Sequence, residues 1–236
     1  ALDATEPAPV EVKSCPKNYK KPEAIAAWHK KEDERYAVAL KKREKDWVEA
    51  AKAKYAKQSL DPLRGRIMLI GLGVYAWEDG VLTRHSTYMV SGEGPTGADE
   101  KALLEKAWGI LQAMPAGTFI AAHNGLAFDF PYIQLRAIKH GMMKMARFFS
   151  VGKPWESNFV DTMKDWPATG FGSKRSGRSL DVLMEFLGDE RPKNPFTGAE
   201  VLPAYVAGDE RKIRVHCIDD LRCVARLYQI ISDIKA

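Results

Sequence analysis

The pattern of apolar and polar positions changes character near residue 60. From Glu23 to about Lys57 the chain is charged and free of Pro and Gly, and Ile25, Trp28, Tyr36, Leu40, Trp47, Ala51 and Tyr55 fall near helical spacings. This predicts one long helix or two shorter ones with a thin apolar stripe on the core. The other face carries Lys30, Lys31, Lys41, Lys42, Arg43, Lys45, Lys52, Lys54 and Lys57, interleaved with Glu32, Asp33, Glu34, Glu44 and Glu49. That mixture reads as a solvated face before it reads as a DNA-binding stripe. The preceding residues 1–22 are rich in Pro and Lys and read as mostly irregular.

Beyond residue 60 the period shortens. Asp61-Pro62 and Gly65 mark a turn, and Arg66–Trp77 is a β-rich run apolar enough to be buried on both sides. Asp79-Gly80 is a hairpin signal, and Val81–Val90 alternates as the partner strand should. A loop over Ser91–Gly97, a helix from about Asp99 to Met114, a short buried strand at Thr118–Ala122 and a helix from about Ala127 to His140 follow. Gly141–Phe159 reads as irregular or weakly β, Ser179–Leu187 as a helix, and the next stretch as a Pro/Gly-rich loop. The final helix runs from about Asp209 or Arg214 to Ile234, with Cys217, Leu221, Val224, Tyr228 and Ile231 as its buried stripe. The order predicts an α/β fold with a mixed sheet flanked by helices.

Composition narrows the class. At 236 residues and 45% hydrophobic, the chain fits one α/β domain, or one with an appendage, and is too apolar for disorder. No apolar run is long enough to span a bilayer, and the start does not read as a secretory signal. Cys15, Cys217 and Cys223 make no framework and no C-x-x-C pair, so they read as reduced thiols of a cytoplasmic protein. The net charge of +5 suits a polyanionic partner without proving one.

Two constellations carry candidate chemistry. His123-Asn124-Gly125-Leu126-Ala127-Phe128-Asp129 puts a polar turn after a buried strand and an aspartate at the start of a helix. Ligands collect at the carboxyl ends of strands, and a helix N-terminus favours the ionised carboxylate, although a plain N-terminal cap explains the same residue. In the last helix His216 and Asp220 stand one turn apart on one face, as a site pair or a surface ion pair would. Asp3 and Glu6 are two further acids three apart.

Together these stretches resemble the DEDD superfamily of 3′→5′ exonucleases in the form found in family-B DNA polymerases. Asn124-Gly125-x-x-Phe128-Asp129-x-Pro131 resembles the second motif of that family, and His216-Cys217-x-x-Asp220 the third, usually Tyr-Cys-x-x-Asp. Phe159-Val160-Asp161-Thr162-Met163 and Ser179-Leu180-Asp181 resemble segments between the two. Cys15–Pro22 and Ser59–Ile67 resemble stand-alone phage or bacterial relatives. The resemblance implies one RNase H-like (DnaQ-like) domain over residues 1–236, with a mixed five-stranded sheet and a helical insertion at about 23–58. It implies hydrolysis of DNA from single-stranded 3′ ends to nucleoside monophosphates, in the cytoplasm of a bacterial or phage-infected cell. A polymerase or other replication or repair protein is the implied partner, with no role for a membrane.

The family's four acids hold two Mg²⁺ or Mn²⁺ ions. One ion activates the attacking water and the other stabilises the leaving oxygen. By resemblance the metal ligands are Asp3, Glu6, Asp129 and Asp220. Asp220 holds the ion that carries the nucleophile, Asp129 acts through water or a hydrogen bond, and His216 orients or deprotonates that water. Asn124 and Phe128 would contact substrate. Phe130, Tyr132 and Trp155 are further stacking candidates, although core packing is the simpler explanation of Phe128 and Phe130. Lys174, Arg175 and Arg178 sit in GFGSKRSGRS, a flexible basic loop suited to phosphates.

Two departures stand out. Histidine replaces the third-motif tyrosine, with the tyrosine's spacing. The first motif, normally Asp-x-Glu-Thr at the end of a central strand, here has Thr5 two residues after Asp3 and the acid Glu6 at three. In a regular strand Glu6 faces away from Asp3, and only a bulge restores convergence. A rearranged site, an altered or truncated start and a catalytically dead relative all fit this pattern. The competing reading is therefore an exonuclease-like module that binds nucleic acid or protein, and an RNA substrate is a third.

Overall fold

The computed structural model describes residues 9–92, 99–150, 158–167, 179–189, 196 and 198–236, and the chain divides into two compact units, residues 1–60 and 61–236. In the first, the charged Pro- and Gly-free stretch forms helix α1 (Pro22–Ser59), opened by Pro22, whose missing N–H costs nothing at that end. Half-buried or buried positions recur at Ile25, Trp28, Glu32, Tyr36, Ala39 and Arg43, close to the helical period, and the lysines stay exposed. Glu32 is buried with partners. Its carboxylate accepts from the Lys13 backbone N–H (3.0 Å) and from Arg35 Nε (2.7 Å), and Arg35 also donates to the Glu11 carbonyl (3.0 Å).

The second unit begins with a hairpin of β1 (Leu69–Glu78) and β2 (Val81–Ser91), paired antiparallel. Asp79 (φ 50°) and Gly80 (φ 78°) both take left-handed backbone conformations, as the primed turn that suits strand twist requires. β1 starts three residues later than its composition predicts. The Ile67 N–H is claimed by the Glu100 carboxylate (2.7 Å) and does not join the ladder. β1 is also mostly half-buried rather than buried on both sides, with only Ile70 in the core.

Helix α2 (Glu100–Gln112) leads to β3 (Ile120–Ala122), α3 (Asp129–Lys139) and α4 (Met143–Phe148). The segment expected to be irregular between residues 141 and 159 therefore contains a helix, whose Met145 and Ala146 are buried. β4 (Phe159–Asp161) runs straight into the short α5 (Thr162–Asp165), and α6 (Leu180–Leu187) is capped by Ser179 and closed by Gly188 at φ 70°. Part of the expected Pro/Gly loop is helix α7 (Gly198–Val206), which tolerates Pro203 at the loss of one backbone bond. The final helix, α8 (Glu210–Lys235), is capped by Asp209, which accepts from Lys212 N–H (3.3 Å).

The five-stranded sheet is not what the described residues show. β1 pairs with β2, β3 pairs in parallel with β4, and no ladder joins the two pairs. β3 and β4 have three residues each, and the first motif, expected on a central strand, lies in residues 1–8, outside the described residues. Helix α8 packs against β1, β2 and β3 and so spans both pairs. One core joins Leu103, Leu104 and Ala107 of α2 to Phe130 and Ala137 of α3 and Met145 and Ala146 of α4. A second joins Leu183 and Met184 of α6 to Cys223 and Leu227 of α8. Beneath the first core Arg136 and Glu100 form a buried pair (2.9 and 2.5 Å), completed by His140 Nε2 (2.7 Å) and the Pro62 carbonyl (3.1 Å).

Candidate active site

The parallel pair β3–β4 ends where the polar turn begins. After Ala122 the chain turns through His123-Asn124-Gly125-Leu126, and Asp129 is the first residue of α3. Asn124 stands at φ 62°, a conformation few non-glycine residues adopt, and Asn is among the residues that tolerate it. Its carbonyl accepts from the N–H groups of Ala127 (3.2 Å) and Phe128 (3.0 Å), and the Gly125 carbonyl accepts from Phe130 N–H (2.9 Å). A Cβ on Gly125 would lie 2.5 Å from Ala122 Cβ and 3.0 Å from the Phe130 ring, so the turn closes only over glycine. On its other side the buried Asp161 carboxylate accepts from Asn124 N–H (2.9 Å), Leu126 N–H (3.1 Å) and Met163 N–H (3.0 Å). His123 Nδ1 sits 2.9 Å from Thr162 Oγ1.

Asp129 is open to solvent by surface area, yet protein crowds it. The resulting loss of hydration pushes its carboxyl up to about 6, against the pull of its own backbone N–H, and the charges of Asp161 and Asp220 push it further the same way. An acidic group that resists ionising, chiefly through lost hydration and further through two neighbouring acids, is one whose charged form a cation would favour.

Helix α8 supplies the second part. His216 Nε2 lies 3.5 Å from Asp220 Oδ2; the histidine side chain is 22% exposed and the aspartate 40%. The His216 ring meets Phe196 edge-on, with centroids 5.3 Å apart. Cys217, between them in sequence, faces the sheet. Burial pushes its thiol up to about 11, the Asp220 and Asp129 charges add to this, and a hydrogen bond with the Gly71 backbone opposes it. The Asp220 charge thus reaches Asp129, and both charges reach the Cys217 thiol. Gly71 is what lets α8 sit so close: a Cβ there would collide with Cys217 Sγ and lie 2.8 Å from Met89 Cε and 3.2 Å from Leu221 Cδ1. Arg214 ties the start of the helix to β2 through the Met89 carbonyl (3.3 Å) and Ser91 Oγ (2.5 Å).

The structure therefore brings Asp129, His216 and Asp220 to one region and Asn124 to the turn above Asp161. Phe130 is buried (3%) in the core, whereas Phe128 is 39% exposed and packs on Tyr132, which is itself buried. Asp3, Glu6, Trp155, Lys174, Arg175 and Arg178 lie outside the described residues. Among the described residues no group of three or more His, Cys, Asp and Glu is close enough to hold a metal ion, and no helix is long and apolar enough to cross a membrane. Asp129 and Asp220 fit a hard divalent cation by their oxygen chemistry, and the excess of negative charge around Asp129 favours one. Sequence reading gave no bonding role to Asp161 and none to Gly71. The visible signal for Asp161 was an acid closing an apolar strand just ahead of Thr162; for Gly71 it was a glycine inside an otherwise apolar strand, a common mark of close backbone approach.

A comparison with curated proteins finds no match. Residues 76–228 match the model of a family described as a predicted 3′-5′ exonuclease related to the exonuclease domain of PolB. That stretch includes the Asn124–Asp129 turn, β4, and the His216–Asp220 pair. The chain belongs to this family: it is a DEDD-type 3′→5′ exonuclease domain, homologous to the exonuclease domain of PolB, with an α/β fold related to the RNase H-like superfamily.

Proposed function

We propose that this protein is a metal-dependent exonuclease that removes nucleoside monophosphates from the 3′ ends of DNA, single strands preferred, in replication or repair. The observation that carries the reading is the exonuclease-family match over residues 76–228, within which Asp129 opens α3 and the His216–Asp220 pair lies on α8. In this reading Asp129 and Asp220, with Asp3 and Glu6, hold Mg²⁺ or Mn²⁺. Two such ions, when bound, supply an activated water and charge stabilisation for the leaving 3′ oxygen.

The remaining work falls to the chain's own groups. His216 is close enough to Asp220 for the carboxylate to orient the imidazole, which would accept a proton from the attacking water. The exposed Phe128 ring offers a face to the terminal base, and the Asn124 side chain a polar contact. Lys174, Arg175 and Arg178 neutralise backbone phosphates. In this reading residues 1–236 form one exonuclease domain, and the stretch at 23–58 is a helical insertion in it.

The test is a 5′-labelled single strand incubated with Mn²⁺ or Mg²⁺, with a ribonucleotide strand in parallel. Stepwise shortening from the 3′ end, abolished by chelation and by Asp220→Ala, is the expected result. Intact DNA at high enzyme and high Mn²⁺, with binding retained, favours the alternative of a catalytically impaired binding module. Cleavage of the ribonucleotide strand alone makes the enzyme a ribonuclease.

A further inference from the structure

Asp161 is a buried acid that the exonuclease reading leaves without a task. It is 1% exposed, and among the described residues no cationic side chain pairs with it. A buried carboxylate without a counter-charge is costly unless its oxygens are fully hydrogen-bonded. Here they are. Oδ1 accepts from the N–H groups of Asn124 (2.9 Å) and Met163 (3.0 Å), and Oδ2 from that of Leu126 (3.1 Å). Such charge-assisted bonds are roughly twice as strong as neutral ones.

Two of the three donors belong to the turn that delivers Asp129. That turn is not held by its own preferences. Asn124 sits at φ 62°, a conformation that costs roughly 1 kcal/mol for a residue with a side chain. Gly125 is wedged between Ala122 and Phe130, which blocks movement on one side. On the other side, among the described contacts, it is the Asp161 carboxylate that grips the backbone. From the turn onward the geometry is determined. The carbonyl of Asn124 holds the N–H groups of Ala127 and Phe128, that of Gly125 holds Phe130, and Asp129 lies between them.

We propose that Asp161 is a positioning residue of the exonuclease reaction. It clamps the Asn124–Leu126 turn and so fixes Asp129 relative to Asp220, without itself touching metal or DNA. The proposal rests on the exonuclease reading above. Asp161→Asn is the informative change. An amide keeps one oxygen for Asn124 and Met163 but turns an NH₂ group toward the Leu126 N–H, donor against donor. The turn loosens on the Leu126 side while the side chain keeps its size.

The experiment compares the parent, Asp161→Asn and Ile231→Ala in the Mn²⁺-dependent DNA assay, well below the lowest unfolding temperature. Ile231, 2% exposed, lies eleven residues beyond Asp220 on α8 and makes a destabilised control. Asp161→Asn is expected to lose about 100-fold in kcat, the cost of about 1 Å of misplacement at a reacting centre, with KM for DNA little changed. Ile231→Ala is expected to keep parental kcat. Equal kcat in Asp161→Asn and Ile231→Ala, or a loss expressed only in KM, overturns the assignment while the exonuclease reading stands. A parent without nuclease activity sinks the exonuclease reading, and the Asp161 role with it. Should Asp161→Asn not fold, hydrogen exchange of the parent decides: the Asn124 and Leu126 amides are expected to exchange as slowly as the core of α2, and exchange at open-loop rates overturns the clamp.

Discussion

Replacing Asp129 by asparagine separates what the site does for chemistry from what it costs the fold. The carboxyl is pushed from 3.8 up to about 6 in the folded protein, first by loss of hydration and then by the Asp161 and Asp220 charges. Folded protein therefore holds this proton more tightly than unfolded chain, and stability falls as pH rises from about 4 through about 6. Above that window the ionised group is a net burden. Taken at face value the rise corresponds to about 3 kcal/mol at roughly 1.4 kcal/mol per tenfold step in proton affinity. Because Asp129 is open to solvent, screening reduces this to about 1 kcal/mol. Asp129→Asn is then expected to raise the unfolding temperature by about 2–4 °C at pH 8 without added metal, with the gain fading to nothing near pH 4. The same variant is expected to lose exonuclease activity. Thermal unfolding across pH 4–8, with and without Mn²⁺, is the assay. Added Mn²⁺ should stabilise the parent, since a ligand that binds only the folded state raises its stability, and should stabilise Asp129→Asn far less. A variant less stable than the parent at pH 8, or a gain that grows toward pH 4, refutes the reasoning.

Three further outcomes follow from the same geometry. His216→Ala is expected to lower kcat by about 100-fold, the usual contribution of a positioned acid–base group, with an unchanged circular dichroism spectrum; an unchanged rate reduces His216 to its packing against Phe196. Gly71→Ala adds a methyl where Cys217, Met89 and Leu221 leave no room, so α8 must shift; about 1–3 kcal/mol of stability and much of the activity should go together, read by denaturant titration and the DNA assay. Glu100→Gln strips the charge from the partner of Arg136. A loss of about 3 kcal/mol is expected at pH 7. Burial pushes the Glu100 carboxyl up, but the bonds from Arg136, His140 and Ile67 more than offset it and hold it below its ordinary 4.5. Its stabilisation is therefore complete above that value and is lost as pH falls below it, so parent and variant should converge in stability in strong acid.

Much of this architecture was legible because local chemistry and tertiary packing agree. The Asp79-Gly80 turn and the Asn124–Asp129 turn each need residue types that few other structures require. The stripe on α8 was legible only in part: of Cys217, Leu221, Val224, Tyr228 and Ile231 only Ile231 is fully buried, the others are half-buried, and Ile213, Cys223 and Leu227 are the other buried positions. Helices α4 and α7 were hidden for a different reason. α4 is six residues long, too short for a period to emerge, and Pro203 inside α7 reads as a breaker. The late start of β1 was also invisible, because Ile67 N–H is bound by Glu100, thirty-three residues away in sequence. The same distance in sequence concealed Asp161: its importance lies in two N–H groups nearly forty residues earlier, and backbone donors leave no mark on a sequence.

The most direct test of the central claim, that Asp129 and Asp220 belong to one divalent-cation site, is Mn²⁺ binding followed by electron paramagnetic resonance. The parent should bind Mn²⁺ saturably, Asp129→Asn and Asp220→Ala should each weaken that binding at least tenfold, and the double variant should be little worse than either alone, as expected of residues that share one ligand. Equal binding by parent and double variant, or strictly additive losses from the two substitutions, contradicts the account.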